Sequence, residues 1–253
     1  MVADRILTEA WAIARRAGNE VMKHYQGEVK VSKKADNSPV TAADKAADAL
    51  IVPALQRLLP DTVVVSEERI ETVNPKKLGE AYWLVDPLDG TKEFINKNGE
   101  FTVNLALIVG GSPLIGIVHV PATDETYGGV GDSVCLYAKG AGAPAQLATR
   151  PAPPSGLTVV SSRSHGNDEE LEAFLDGRKI KDRKTAGSSL KFCLIAKGEA
   201  DLYPRLGPTM EWDTAAGHAV LVAAGGSVTT LDGEPLTYGK PDFRNPYFVA
   251  EGR

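Results

Sequence analysis

The sequence predicts an α/β protein in two parts, an α+β N-terminal half (residues 1–150) and an α/β C-terminal half (residues 151–253). Two long helical patterns near the N terminus precede a series of short strand-like segments, which is typical of an α+β arrangement. A proline cluster at 151–154 then separates this region from one in which strands alternate with helices. We place the boundary at this cluster and expect a functional site in the cleft between the halves.

The composition is that of an ordinary soluble globular protein. The 253 residues are 43% hydrophobic and 24% charged, which is enough for a substantial core. The formal net charge of −5 argues against a polymeric nucleic acid as partner, because such binding needs clustered Lys and Arg. Cys135 and Cys193 lack a short metal-binding spacing and indicate reduced thiols in a cytoplasm.

Two helices are expected in the N-terminal half. Apolar residues such as Ile6, Ile13 and Val21 recur at helical spacing through 1–25, with charges of both signs between them, which does not fit a signal peptide. A second helix is predicted over 41–59, where Pro60 ends it. No apolar run approaches the roughly 18 residues that cross a bilayer. We expect a cytoplasmic protein without a transmembrane segment and leave peripheral membrane association open.

The remaining elements follow from shorter patterns. Strands are predicted at 62–65, 82–85, 101–109, 115–120 and 126–130, and Gly110-Gly111 indicates a hairpin between the third and the fourth. In the C-terminal half, strands are predicted at 157–161 and 200–203 and helices at 168–175, 188–196 and 214–224. The N-terminal half should therefore carry a largely antiparallel sheet and the C-terminal half an α/β layer.

The segment Asp86-Pro87-Leu88-Asp89-Gly90-Thr91 directly follows an apolar strand pattern and is the strongest functional signal. Proline restricts the backbone and glycine permits a tight turn, so two carboxylates and a carbonyl can converge on one small volume. Oxygen ligands of this kind suit Mg²⁺ or Mn²⁺ rather than zinc. The alternative is an Asp-Pro-Gly turn without chemical function.

Two further acidic segments extend this pattern. Glu67 and Glu68 follow the strand predicted at 62–65, so they can lie beside Asp86, although paired acids at a turn are usually only solvated. Asp213 opens a helix of small residues in Trp212-Asp213-Thr214-Ala215-Ala216-Gly217, where an isolated Asp would first be interpreted as an N-cap.

These segments together resemble the magnesium-dependent, lithium-sensitive phosphatase superfamily that contains inositol monophosphatase and fructose-1,6-bisphosphatase. Its two signatures correspond to residues 86–91 and 212–217, with supporting similarity at 36–44, 92–95, 161–165, 203–211 and 245–250. Within the superfamily, the resemblance is to 3'(2'),5'-bisphosphate nucleotidases of the CysQ type. The resemblance covers nearly the whole chain and implies a layered αβαβα sandwich.

The resemblance also implies a set of metal ligands. One magnesium ion would be held by Glu68, Asp86 and the Leu88 carbonyl, and a second by Asp86, Asp89 and Asp213. Glu67 would support a third, weaker ion through water. Two cations about 4 Å apart can bridge a phosphoryl group, whereas carboxylates gathered without cations would repel one another. Two or three Mg²⁺ ions are therefore expected, with Mn²⁺ as a possible substitute.

The catalytic residues implied by the resemblance are Thr91 and Asp44. In this superfamily the nucleophile is a metal-bound water, and the matching threonine, oriented by the matching aspartate, polarises that water. The segment Thr41-Ala42-Ala43-Asp44 also fits a weak capping box, which leaves a purely structural role for Asp44 open.

Substrate choice depends on weaker signals. Lys92-Glu93 after the threonine matches the nucleotidases rather than the inositol monophosphatases and favours a small nucleotide with 3'- and 5'-phosphates. The amides of residues 89–91 are expected to receive the phosphate if a helix begins there. The segment 187–191 has an ordinary capped helix as its alternative, and His165 is a weaker candidate. The predicted substrate-binding residues are Glu68, Asp89, Gly90, Thr91, Lys92, Arg163, Ser188, Ser189, Lys191, Arg205 and Asp213.

The leading prediction is hydrolysis of adenosine 3',5'-bisphosphate to AMP and phosphate, a reaction that the family uses to clear a by-product of sulfate activation. The sulfated form of the nucleotide is a possible second substrate. The alternatives are an inositol-phosphate or other sugar-phosphate phosphatase, and a non-catalytic metal- or nucleotide-binding regulator. Relatives imply a monomer or a homodimer.

Overall fold

The computed structural model describes residues 2–27, 31–33, 39–162 and 168–253 and has five alternating layers of helix and sheet. Helices α1 (Val2–Gln26) and α2 (Ala42–Leu58) form the first layer. The buried side of α1 is a stripe at helical spacing that includes Ala10, Ala14 and Ala17, and these small side chains permit close packing on α2 and the sheet beneath.

The second layer is a seven-stranded sheet. A two-stranded antiparallel ribbon of β1 (Val31–Lys33) and β2 (Pro39–Thr41) precedes it. The strand order follows the sequence, and only the pair β3–β4 is parallel. Its strands are β3 (Val63–Ser66), β4 (Ala81–Asp89), β5 (Thr102–Val109), β6 (Ser112–Val120), β7 (Glu125–Val130), β8 (Val134–Lys139) and β9 (Ala145–Gln146).

Both faces of this sheet are buried, and alternate residues serve different cores. On β4, Trp83 and Val85 pack in the cluster that contains α1 and α2, whereas Tyr82 and Leu84 pack in the cluster on the opposite face. This follows from the two-residue period of a strand. The hairpin predicted at Gly110-Gly111 is confirmed, and both glycines have positive φ.

The third layer contains α5 (Leu190–Ala196) and α6 (Glu211–Ala223). Helix α6 approaches the sheet closely at two glycines. A Cβ atom at Gly116 would lie 2.4 Å from the Ala216 carbonyl oxygen, and one at Gly129 would lie 2.7 Å from the Ala219 carbonyl oxygen. Glycine is therefore required under α6, since any side chain would push the helix away.

The fourth layer is a five-stranded sheet in the order β11-β10-β12-β14-β13. Helix α4 (Asp168–Leu175) forms the fifth layer, where Leu171, Phe174 and Leu175 cover the outer face of that sheet. The predicted αβαβα sandwich is thereby confirmed. The strands are β10 (Leu157–Ser162), β11 (Ile180–Ala186), β12 (Leu202–Arg205), β13 (Ser227–Thr230) and β14 (Phe248–Glu251).

Several element predictions need correction. Strand β4 continues past the predicted end at Val85 to Asp89, so both aspartates of the motif lie in the strand, and only Gly90 and Thr91 follow it. Helix α6 begins at Glu211 rather than at Thr214, and α5 begins at Leu190 rather than at Ser188. The sequence analysis predicted no strand directions for the second sheet, which is mixed because β14 pairs antiparallel with both neighbours.

The sequence analysis did not predict seven strands of the described residues, most of which are short or polar: β1, β2, β8, β9, β11, β13 and β14. Strand β11 lies at a sheet edge, where mostly polar and charged residues hide the strand pattern. The division of the chain at 150/151 stays a prediction. Within the described residues, no helix is both long and apolar enough to span a membrane.

Candidate metal centre and active site

Three carboxylates meet at one end of the seven-stranded sheet. Asp86 and Asp89 come from β4 and Asp213 from the first turn of α6, and each contributes an oxygen such that all three oxygens lie within 4.8 Å of one another. The sequence prediction that distant acidic segments converge is thus confirmed for these three residues.

A β-bulge brings Asp86 and Asp89 to the same site. Residues three positions apart in a regular strand point to opposite faces of the sheet. On β4, however, Asp86 pairs with Asn104 and Asp89 pairs with Thr102, so the three-residue step on β4 matches a two-residue step on β5. The extra residue reverses the alternation, and both carboxylates can face Asp213.

Each carboxylate is held by a backbone amide. Asp86 Oδ1 accepts a hydrogen bond from the Leu88 amide (3.0 Å), and Asp213 Oδ2 accepts one from the Met210 amide (2.8 Å). Asp89 Oδ2 accepts one from the Ser189 amide (2.7 Å). These bonds restrict the rotation of each side chain and so orient the second carboxylate oxygen.

The electrostatics of the cluster favour a bound cation. Burial raises the pKa of Asp89, while the nearby Lys191 ammonium and hydrogen bonds from Ser189 and Asn104 oppose this shift. Burial, with the charges of Asp89 and Glu67, raises the pKa of Asp213 well above its usual value. A divalent cation would offset this repulsion, and a donor set made only of oxygen fits Mg²⁺ or Mn²⁺.

Glu67 and Glu68 lie at the start of a 3₁₀ helix (Glu67–Thr72) that directly follows β3. Because β3 and β4 are parallel, their carboxyl ends meet at the same edge of the sheet. Glu67 is close enough to raise the pKa of Asp213 through charge repulsion, after the larger effects of burial and of Asp89. The cluster of three carboxylates does not include either glutamate, so their roles as ligands stay predictions.

Thr91 lies beside the cluster and contacts Asp44. Its Oγ1 is 3.3 Å from Asp44 Oδ1 and 3.4 Å from the Leu88 carbonyl oxygen, the carbonyl that was predicted to bind metal. Asp44 is buried, and its Oδ2 accepts hydrogen bonds from the amide (2.8 Å) and the hydroxyl (2.6 Å) of Thr41. The predicted capping box is therefore present. It uses Oδ2 of Asp44, so Oδ1 can accept a hydrogen bond from Thr91.

Comparison with known proteins gives the family. The protein-family model described as "Inositol monophosphatase family" matches residues 3–247 of this chain. This chain belongs to the inositol monophosphatase family. The 3'(2'),5'-bisphosphate nucleotidase CysQ of Escherichia coli K12 is 47% identical over 246 residues, which cover 96% of this chain and 98% of that protein. CysQ of Salmonella typhimurium LT2 is 45% identical over 246 residues, with the same coverage of both chains.

Solved structures of this family have the same fold. Bacteroides thetaiotaomicron CysQ matches with a TM-score of 0.82 and 38% identity, covering 97% of this chain and 95% of that one. Inositol monophosphatase from Anabaena matches with a TM-score of 0.76 and 25% identity, covering 100% and 92% of the two chains. The layered architecture is thus that of the inositol monophosphatase family.

The family motif continues into α3 (Thr91–Ile95), whose N-cap is Gly90. Gly90 has a φ of 87°, and a Cβ there would lie 3.2 Å from the Glu100 carbonyl oxygen, so both backbone conformation and space favour glycine. Lys92 is exposed and Glu93 is buried. The condition on the phosphate prediction is met, because a helix does begin at Thr91.

The remaining predicted substrate-binding residues have different hydrogen-bond partners. Ser189 contacts Asp89 directly. The Lys191 ammonium donates to the carbonyls of Ala186 (3.2 Å) and Ser188 (2.6 Å). Arg205 donates to Ser162 Oγ (2.6 Å), and its charge lowers the pKa of Asp213 against the larger effects of burial and nearby acids.

Arg163 and His165 lie outside the described residues. Sequence reasoning missed Asn104 and Thr102, which pair across the sheet with the two aspartates and contact Asp89 Oδ2. The signal that could have found them is the predicted antiparallel pairing itself, since it places polar residues of 101–109 opposite the motif.

Proposed function

We propose that this protein is a divalent-cation-dependent phosphatase that converts adenosine 3',5'-bisphosphate to AMP and phosphate. The observation that carries the proposal is the cluster of Asp86, Asp89 and Asp213 with the Thr91–Asp44 pair beside it. It occurs in a chain that is 47% identical, over 96% of its length, to a protein named 3'(2'),5'-bisphosphate nucleotidase. The sulfated form of the nucleotide is a second candidate substrate.

The proposed metal ligands are those of the sequence analysis. Glu68, Asp86 and the Leu88 carbonyl would hold one ion, Asp86, Asp89 and Asp213 a second, and Glu67 would support a third through water. Mg²⁺ suits this oxygen-only set, and Mn²⁺, which takes the same ligands, can replace it. Divalent cations supply positive charge that stabilises the phosphoryl oxygens in the transition state.

The chain's own acid–base contribution comes from Thr91 and Asp44. The Thr91 hydroxyl has one proton, and donating it to Asp44 leaves Oγ1 with lone pairs that can accept a hydrogen bond from the attacking water. The water oxygen then bonds to phosphorus as the bond from phosphorus to the 3'-oxygen breaks. The nucleotide leaves with a 3'-hydroxyl after gaining a proton, and the water loses one.

The start of α3 provides donors for the phosphate. The amide groups in the first turn of a helix have no intrahelical acceptor. The amides of Gly90, the N-cap of α3, and of Thr91, its first residue, directly follow Asp89 of the carboxylate cluster. We propose that these amides hold the phosphoryl oxygens in line for attack.

Substrate specificity is proposed to come from the region around α5 and β12. Ser189 contacts Asp89, and the charges of Lys191 and Arg205 act on Asp89 and Asp213 respectively. Ser188 and Arg163 belong to the same proposal. An inositol phosphate is the competing substrate, because the family model is that of inositol monophosphatase and the Anabaena enzyme shares the fold. We favour the nucleotide because the relatives named for it are much more similar in sequence.

The assay that tests the proposal measures phosphate release by purified protein with Mg²⁺. Adenosine 3',5'-bisphosphate, its sulfated form and inositol 1-phosphate are compared, and the nucleotide product is separated by chromatography. We expect AMP from the bisphosphate and much slower release from inositol 1-phosphate. A preference for inositol 1-phosphate would replace the proposed substrate, and no release from any compound would support the non-catalytic regulator instead.

We further propose that the protein acts in the cytoplasm on a small nucleotide and not on polymeric nucleic acid. The net charge of −5 and the absence of a spanning helix among the described residues support this proposal. A monomer or a homodimer is expected, which light scattering of the purified protein would distinguish.

A further inference from the structure

Ser189 contacts two residues of the site that come from different elements, strand β4 and helix α6. Its amide donates to Asp89 Oδ2 (2.7 Å), and its hydroxyl lies 3.1 Å from the same oxygen. The hydroxyl also lies 2.8 Å from the backbone carbonyl oxygen of Asp213. Ser189 therefore contacts one proposed metal ligand from β4 and the backbone of another from α6.

Asn104 completes this arrangement from β5. Its amide nitrogen donates to Ser189 Oγ (2.7 Å) and to Asp89 Oδ2 (3.2 Å). Asn104 is fully buried, and its side-chain oxygen accepts no hydrogen bond from the described residues. A buried unsatisfied polar atom is costly, and at Asn104 this cost is offset by the two hydrogen bonds that its amide nitrogen donates to Asp89 and Ser189.

These contacts commit one oxygen of Asp89 to the protein. Oδ2 lies within hydrogen-bond distance of four donors, two from Ser189, one from Asn104 and one from Thr102 at 3.4 Å. This number already meets or exceeds the capacity of one carboxylate oxygen. No donor among the described residues bonds Oδ1, which is consequently the oxygen left for a cation.

The hydroxyl of Ser189 has one proton and two acceptors. Because Asn104 donates to Ser189 Oγ, that oxygen must direct its own proton either to the Asp213 carbonyl or to Asp89. Donation along the shorter contact, to the Asp213 carbonyl, links the two elements, because the Ser189 amide still bonds Asp89 while the hydroxyl bonds the first turn of α6. The distance between the two ligands is thereby set by a side chain that is itself not a ligand.

The backbone around Ser189 is held tightly. Ser188 has a positive φ of 45°, and the Lys191 ammonium binds its carbonyl at 2.6 Å. A Cβ at Gly187 would lie 2.6 Å from the Glu100 carbonyl oxygen, and the Gly187 amide donates to Glu100 Oε2 (2.8 Å). Such a strained segment persists only when its surroundings determine it, which suits a rigid support for a metal site.

We infer that Ser189 and Asn104 are positioning residues of the metal centre, which aim one oxygen of Asp89 at the cation and hold Asp213 at the matching distance. The inference rests on the proposed function, because it takes Asp89 and Asp213 as metal ligands. It differs from the substrate-binding role predicted for Ser189 from the sequence, since it requires no contact with the nucleotide.

The test measures metal binding without substrate. Ser189→Ala keeps the backbone donor to Asp89 but removes the hydroxyl, and Thr158→Val is the control because it removes a buried hydroxyl that bonds Arg150 instead of a metal ligand. Mn²⁺ binding to metal-free protein is followed by calorimetry. We expect Ser189→Ala to weaken Mn²⁺ binding about 10-fold or more, as is usual for residues that support ligands, and the control to change it little.

A second variant keeps the inference open to refutation if Ser189→Ala does not fold. Asn104→Ser removes the donor to Asp89 and should weaken Mn²⁺ binding in the same direction, and the double variant should lose less than the sum because both residues act on one oxygen. For Asn104→Ser, which is not among the proposed substrate-binding residues, KM for the nucleotide at saturating metal should stay near the wild-type value.

The outcomes separate the two proposals. Wild-type protein that binds no divalent cation would refute the proposed metal-dependent function. Wild-type binding together with unchanged binding in folded Ser189→Ala and Asn104→Ser would overturn this inference alone. A raised KM with unchanged Mn²⁺ affinity would assign Ser189 to substrate binding instead.

Discussion

The two elements that supply the clustered carboxylates do so in different ways. On β4, Asp86 and Asp89 are three residues apart, and a local bulge against β5 turns them to the same site. On α6, Asp213 depends on where the helix packs, since its partners in the cluster are more than a hundred positions away in sequence. The positions of Asp86 and Asp89 are thus set by local strand structure, whereas the position of Asp213 is set by the tertiary fold.

The position of Asp213 depends on the close packing of α6 against its neighbours. Gly116 and Gly129 let the helix backbone approach the seven-stranded sheet, and a Cβ at Gly217 would lie 2.4 Å from Phe192. Asn245 also holds the start of α6, donating to the Met210 carbonyl (2.9 Å) and to Thr214 Oγ1 (3.0 Å). Substitutions under α6 should therefore affect stability and activity together, whereas substitutions of the carboxylates should affect activity alone.

The largest effect is expected for Asp89→Asn and Asp213→Asn. Each removes a charge from the proposed metal site while keeping the size of the side chain, so kcat/KM should fall about 10³-fold, or roughly 4 kcal/mol. The melting temperature in EDTA should not fall, because charge repulsion in the cluster is reduced. The exposed Asp232→Asn is the control, and near-normal activity of either site variant would contradict the ligand assignment.

Thr91→Ala should have the next largest effect. It removes the hydroxyl that contacts Asp44 but no carboxylate, so kcat should fall about 10²-fold, within the usual range for proton-transfer groups. The Mg²⁺ concentration for half-maximal activity should stay near that of the wild type. A loss of metal affinity with little change in kcat would show that Thr91 supports the Leu88 carbonyl rather than the water.

Gly116→Ala tests whether the position of Asp213 depends on the packing of α6 against the seven-stranded sheet. The new methyl group would clash with the Ala216 backbone, so we expect a loss of about 2 kcal/mol in unfolding free energy together with reduced kcat/KM. Urea denaturation and kinetics measure the two effects. Gly27→Ala, at the end of α1 where a Cβ has ordinary space, is the matched control. A destabilised but fully active Gly116→Ala would show that Asp213 tolerates movement of α6.

The smallest effect concerns two buried histidines, His119 on β6 and His218 on α6. Burial lowers the pKa of His119, which packs against Gly18 of α1, to about 4, and burial lowers that of His218 on α6 to about 4. Both stay neutral in the folded protein, whereas in the unfolded chain they take up protons near pH 6.5. Their contribution to stability is therefore intact above pH 6.5 and is lost as pH falls toward 4.

At pH 5 this effect should cost about 1–2 kcal/mol for each histidine. His119→Gln and His218→Gln should each flatten the fall of unfolding free energy between pH 7 and pH 5, as measured by urea denaturation at each pH. An unchanged slope in one variant would show that this histidine titrates normally in the folded state.

Local patterns explain which parts of the fold and site were predictable. Some features depend only on residues that are close together in the sequence, and these were predicted nearly at their observed positions. They are helices α1 and α4, the Gly110-Gly111 hairpin and the acidic motif. Strands β11, β13 and β14 carry no such local signal, because they are short or lie near a sheet edge. Their identity as strands comes from pairing with distant partners.

The chemistry of the centre could be predicted from the sequence because its acidic segments together resemble the family signatures, although each segment alone had a structural alternative. The direction in which each carboxylate points could not be predicted from the sequence. That depends on the β4 bulge, on the glycines that seat α6 and on the contacts of Ser189 and Asn104 with Asp89. Such contacts join residues far apart in the sequence, and their geometry exists only once the layers have packed.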